Sequence, residues 1–83
     1  MNRYGIRMRR HYAKHRVEEL AALEDPAAYF ETLGSQIETE IEELADQIAG
    51  PTRPEEGYLA RMERLTEARV TAESEILAIH MAP

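Results

Sequence analysis

Residues 25–50 read DPAAYFETLGSQIETEIEELADQIAG, and the spacing of their apolar side chains decides the fold class. Phe30, Leu33, Ile37, Ile41, Leu44 and Ile48 recur at intervals of three or four residues, the period that gathers side chains on one stripe of an α-helix. Asp25 stands where an N-cap carboxylate accepts from the first turn. Pro26 follows at the first helical position, where its missing N–H costs nothing. Gly34, with the capping-box spacing of Ser35 and Glu38 behind it, admits a break and a restart at Ser35. The uninterrupted apolar stripe favours one continuous helix to Ala49, with Gly50 as its stop.

Proline punctuates both flanks of this helix, at Asp25-Pro26 and in Gly50-Pro51-Thr52-Arg53-Pro54. Downstream, Thr52 and Glu55 have capping-box spacing. A third helix is therefore expected over 52–80, with Tyr58, Met62, Leu65, Ala72, Ile76 and Ile79 on one stripe. Arg69 fills the place where that stripe would carry an apolar residue. Upstream, residues 1–24 hold good helix formers but a blurred apolar face formed by Ile6, Met8, Tyr12, Val17, Leu20 and Leu23. They read as a basic N-terminal helix, or as a helix pair broken near His15. The expected fold is all-α, a single helical domain over 1–83. Helices 25–50 and 52–80 form an antiparallel hairpin and the first segment packs across it, a three-helix architecture whose apolar stripes favour self-association as a homodimer.

A chain of 83 residues makes one domain with a thin core, because at this length folding buries only roughly 60–65% of the surface the unfolded chain exposes. Cysteine is absent, which removes disulfides and thiolate zinc sites and points to the cytoplasm. No apolar run approaches the span of a bilayer, so no membrane anchor is expected. The net charge of −6 is divided unevenly along the chain. Residues 1–16 contain Arg3, Arg7, Arg9, Arg10, Lys14 and Arg16 and no acid, while all 16 Asp and Glu lie beyond them.

Arg69 on the stripe needs a partner if it is buried. Glu38, Glu40 and Glu42 lie on the facing helix, so a structural ion pair of Arg69 with Glu40 would fix the register; the competing placement runs its stem along the seam to water. His11 and His15, four apart, share a helix face as two metal ligands would, but Arg10, Lys14 and Arg16 repel a cation and His80 lies at the far end of the chain. No metal and no cofactor are expected. Glu38, Glu40, Glu42, Glu43 and Asp46 read as a solvated face, since no third polar group orients any two of them as an acid/base pair. Neither a nucleophile with a base nor a Gly-rich phosphate loop is present, so binding is expected and catalysis is not.

Two surfaces compete for that binding role. The acidic face of Glu38, Glu42, Glu43 and Asp46 suits a protein partner with a cationic groove, in the manner of small acidic inhibitors of nucleic-acid-handling proteins such as anti-CRISPR proteins. The arm formed by Arg7, Arg9, Arg10, Tyr12, Lys14 and Arg16 could instead follow a nucleic-acid backbone, or be neutralised by the chain's own acids.

The order Tyr4-Gly5, Arg9-Arg10-x-Tyr12 and Arg16, then Tyr29-Phe30 and Ile37, then Arg61-Met62, Ala68-Arg69, Ala72-Glu73 and Ile76 resembles the transposon-encoded TnpV family over roughly the whole chain. The chain lacks the longer N-terminal part associated with that family, and its Gly50 to Pro54 connection differs from the helical linker expected there. The resemblance implies a small accessory protein of a mobile element or phage, with no catalytic chemistry to transfer. Arg9, Arg10, Tyr12, Arg16 and Arg69 are the positions that match the pattern and carry charge or an aromatic ring.

Overall fold

The computed structural model describes residues 1–82 as four packed helices: α1 (Arg3–His15), α2 (Val17–Ala22), α3 (Pro26–Ala49) and α4 (Tyr58–His80). No strand occurs among the described residues. No helix is long and apolar enough to cross a membrane.

α3 starts and stops as its sequence dictates. The Asp25 carboxylate accepts from Ala28 N at 3.1 Å, Pro26 opens the first turn, and Gly50 ends the helix at φ 70, in the region that favours glycine. The helix passes through Gly34 without a break, and the reason that glycine stands there is another helix. α1 crosses at this point, so that a Cβ on Gly34 would lie 2.8 Å from Gly5 N and 3.0 Å from Gly5 Cα. Asn2 fastens the crossing: it caps α1 by accepting from Gly5 N at 2.9 Å, and its amide donates to Gly34 O at 3.0 Å and to Glu38 at 3.2 Å.

α1 ends at Arg16, whose φ of −137 and ψ of 50 break the helix beside His15, and α2 resumes at once. The core gathers Tyr4, Met8 and Tyr12 from α1, Phe30, Ile37 and Ile41 from α3, and Ala72 and Leu77 from α4. Phe30 meets Tyr12 and Tyr29 edge to face, with centroids 5.1 and 5.0 Å away. Burying a side chain the size of Phe30, Ile37, Ile41 or Met8 is worth about 1.5–3 kcal/mol, so this small cluster carries much of the stability. The contacts between α3 and α4 tie Arg64 to the Ala49 carbonyl near the connecting loop, and His80 to Glu40 at 2.7 Å farther along.

Two expectations for the last helix are corrected. α4 begins at Tyr58 and not at Thr52. Residues 53–56 close a turn through Glu56 N to Arg53 O at 3.1 Å, and the Arg64 guanidinium holds the Glu56 carboxylate at 2.8 and 2.9 Å, outside the helix. The expected stripe holds at Ala72, which is buried, and at Leu65 and Ile76, which are half-buried, but not at its other members. Ala68, Ala72 and Leu77 face inward, whereas Tyr58, Met62 and Ile79 are 76%, 43% and 70% exposed. The small Ala68 and Ala72 let α3 approach closely, and the cover over the C-terminal half of α4 falls on Leu77, half a turn away from Ile79.

The molecule is elongated, with extents of 53 × 22 × 16 Å and a radius of gyration of 15.9 Å. A compact domain of this length has a radius of gyration of about 12 Å.

Candidate functional site

The cations of α1 follow from its sequence period. Arg3, Arg7, Arg10 and Lys14 are spaced four, three and four apart, so they form one stripe on the helix that buries Tyr4, Met8 and Tyr12 on its other side. The stripe is about 16 Å long at 1.5 Å per residue. Arg3 is held by the Tyr4 hydroxyl at 2.7 Å and by Glu73 at 3.0 Å. Arg16, at the other end of the helix, pairs with Glu19 and lies 4.4 Å over the Tyr12 ring. Arg7, Arg9, Arg10 and Lys14 are exposed, and no ion pair joins them to any of the described residues. Neutralisation by the chain's own acids thus reaches only the two ends of the arm.

Tyr12 does not belong to this surface. It is 5% exposed, its hydroxyl shares a hydrogen bond with Tyr29 at 2.8 Å, and burial, reinforced by that bond, pushes its pKa up to about 12. Its ring is a core contact and cannot stack on a base. Among the acids, Glu42, Glu43 and Asp46 are exposed along α3 and free of ion pairs with the described residues. Glu38 is half-buried and accepts from Asn2, so it belongs more to the α1–α3 crossing than to an outer face.

The expected Arg69–Glu40 ion pair is absent among the described residues. Glu40 is taken by His80, and Arg69 lies level with α1, where its guanidinium approaches the Tyr4 hydroxyl at 3.4 Å. Helix side chains lean toward the N-terminus of their own helix, so Glu40 reaches toward the C-terminal turns of α4 and away from Arg69.

His11 and His15 meet with ring centroids 5.0 Å apart. With Arg16, Glu19, His80 and Met81 they line an open recess of about 700 Å³ where the α1–α2 junction faces the end of α4. The His11 Nε2 is buried there without a hydrogen-bond partner among the described residues, and burial, then His15 and Arg16, hold its pKa below the ordinary value. Among the described residues no group of three or more His, Cys, Asp or Glu is arranged to hold a metal ion. The spacing of His11 and His15 is legible in the sequence; the arrival of His80 beside them is not, because it depends on how α4 returns past α1. The Arg64–Glu56 clamp, eight residues apart across a helix start, was equally without a local signal.

Comparison of the chain with protein-family models, with curated proteins and with solved structures gives no match in any of the three.

Proposed function

We propose that this protein is a non-enzymatic binding protein whose working surface is the acidic outer face of α3, and that its partner presents a cationic groove. The observation that carries the reading is the state of Glu42, Glu43 and Asp46: exposed, unpaired with the described residues, and fixed on a 24-residue helix anchored at both ends by Asp25 and Gly50. Carboxylates held on a rigid helix present their charge with little loss of conformational freedom on binding. We read the architecture that carries them as an antiparallel α3–α4 hairpin with α1 laid against it. A cytoplasmic setting is supported by the lack of cysteine, and carriage on a mobile element or phage by the resemblance to TnpV proteins. Inhibition of a nucleic-acid-handling protein is the form of activity that such a surface suits.

The test makes the same change of net charge at two different places. A labelled arginine-rich peptide is titrated with the wild type, with the Glu42→Lys, Glu43→Lys, Asp46→Lys variant, and with a Glu18→Lys, Glu24→Lys, Glu75→Lys variant of equal net charge. The reading predicts a loss of about tenfold or more, at least 1.4 kcal/mol, specific to the α3 variant. Equal losses in both would show that only net charge matters and would remove the assigned face.

A second reading, nucleic-acid binding by α1, is favoured by the exposure of Arg7, Arg9, Arg10 and Lys14. It requires duplex affinity to fall with salt at a log–log slope of about −2.7 for three phosphate contacts, and binding to vanish in the Arg7→Ala, Arg9→Ala, Arg10→Ala variant.

A further inference from the structure

Along α4, Leu59, Met62, Thr66, Val70, Leu77 and Met81 fall on one side of the helix. At the C-terminal end this side is covered, and Leu77 is 5% exposed. From Val70 toward the N-terminal end the same side is bare: Val70, Met62 and Leu59 are 64%, 43% and 74% exposed. Three shallow recesses run along it, of about 450, 460 and 380 Å³. Neighbouring recesses share Val70 and Glu73 in one case and Thr66 in the other, so together they form one trough along nearly the full length of α4.

The area of the chain indicates how large a partner is missing. Its accessible surface is 5,972 Å² for 9.5 kDa. A compact monomer of that mass exposes about 5,050 Å², leaving an excess of about 900 Å². A stable interface takes about 800 Å² from each partner.

The charges along the trough indicate which partner. Its N-terminal half is rimmed by Glu63 and Glu67 and its C-terminal half by Arg7 of α1, with Arg10 beside it, while Arg3 and Arg69 line the middle. Glu73, the acid within the cationic half, is already neutralised by Arg3 at 3.0 Å. Such a surface complements itself when reversed: an antiparallel copy brings the acidic half of one trough level with the cationic half of the other, and apolar residues meet along the middle.

We propose that this trough is the interface of a two-fold symmetric homodimer in which α4 packs antiparallel against α4 of a second copy, centred near Val70. The surface is separate from the outer face of α3, which stays free in the dimer to meet another partner. Arg7 and Arg10, which pair with none of the described residues of their own chain, find counter-charges in Glu63 and Glu67 across this interface.

Sedimentation equilibrium of the intact chain tests the proposal. The wild type is expected at twice its 9.5 kDa mass at micromolar concentration, and Val70→Glu at the monomer mass with an unchanged far-ultraviolet circular dichroism spectrum. Glu63→Lys with Glu67→Lys, or Arg7→Glu with Arg10→Glu, should each weaken association about tenfold or more, and the four changes together should restore it. The Glu42, Glu43, Asp46 charge reversal should leave the dimer intact, which separates this interface from the α3 surface. A wild type that stays monomeric to about 100 μM, a dimer indifferent to Val70→Glu, or no recovery in the fourfold variant would each overturn it.

Discussion

Gly34 shows how much a single missing methyl group decides. A Cβ at this position would press into the α1 backbone at Gly5 and into Asn2, neither of which can yield without moving the helix. Gly34→Ala should therefore cost about 1–3 kcal/mol in urea unfolding. Gly57→Ala, where a Cβ meets open space, should stay within about 0.5 kcal/mol. His11 gives a prediction in pH. Because its folded pKa lies below the ordinary 6.5, the unfolded chain takes the proton first, so its contribution is intact above pH 6.5 and is lost as the pH falls below it. His15, Arg16, Glu19 and His80 share its recess, and Glu40 stands behind His80, so the comparison must isolate one ring. Unfolding free energies measured between about pH 8 and pH 5 should fall more steeply for the wild type than for His11→Leu; parallel curves would mean that the ring is not buried as described. Sequence reasoning identified Gly34 as an irregularity in a helix but not as a crossing point, because a glycine carries no mark of the backbone that will approach it.

The helices divide into those whose ends are written locally and one whose start is not. Asp25-Pro26 and Gly50 were legible because each rests on the conformational limits of one or two residues, and the break near His15 because the apolar face of residues 1–24 is out of phase. α4 starts six residues later than Thr52 and Glu55 suggest, because Arg64, six residues inside the helix, draws Glu56 out of the first turn and also donates to the last carbonyl of α3. Arg64→Ala should lower the urea midpoint clearly, and Arg53→Ala, an exposed neighbour, should leave it in place. The clamp also sets an acid limit distinct from that of His11. Hydrogen bonding from Arg64 holds the Glu56 carboxyl below the usual 4.5, so its contribution persists above that value and is lost as the pH drops through it. In the Arg64→Ala variant, stability below about pH 4.5 should depend less on pH than in the wild type. The apolar stripe of α4 holds at Leu65, Ala72 and Ile76 and fails at Tyr58, Met62 and Ile79, for a related reason. Its burial is decided by where α1 stops, which periodicity within α4 cannot report.

Four packed helices extend over 53 Å, and the charges they carry are segregated along the chain. Apolar spacing made the all-helical class legible, and the order of charges the split between a basic start and an acidic remainder. Left open was whether the two charges would cancel within one chain, and among the described residues they meet on the arm at Arg3–Glu73 and Arg16–Glu19 alone. Cations and acids that remain apart in one chain are available to different partners, and on this account the α1 cations serve a second copy and the α3 acids a cationic protein. Nucleic acid should then bind only weakly, because the acids of the body repel it. The decisive measurement is the titration of the arginine-rich peptide with the two charge-reversed variants. A loss of about tenfold or more confined to Glu42, Glu43 and Asp46 is the predicted result. Unaltered binding in that variant, or an identical loss when Glu18, Glu24 and Glu75 are reversed, would contradict the assignment of α3 as the working face.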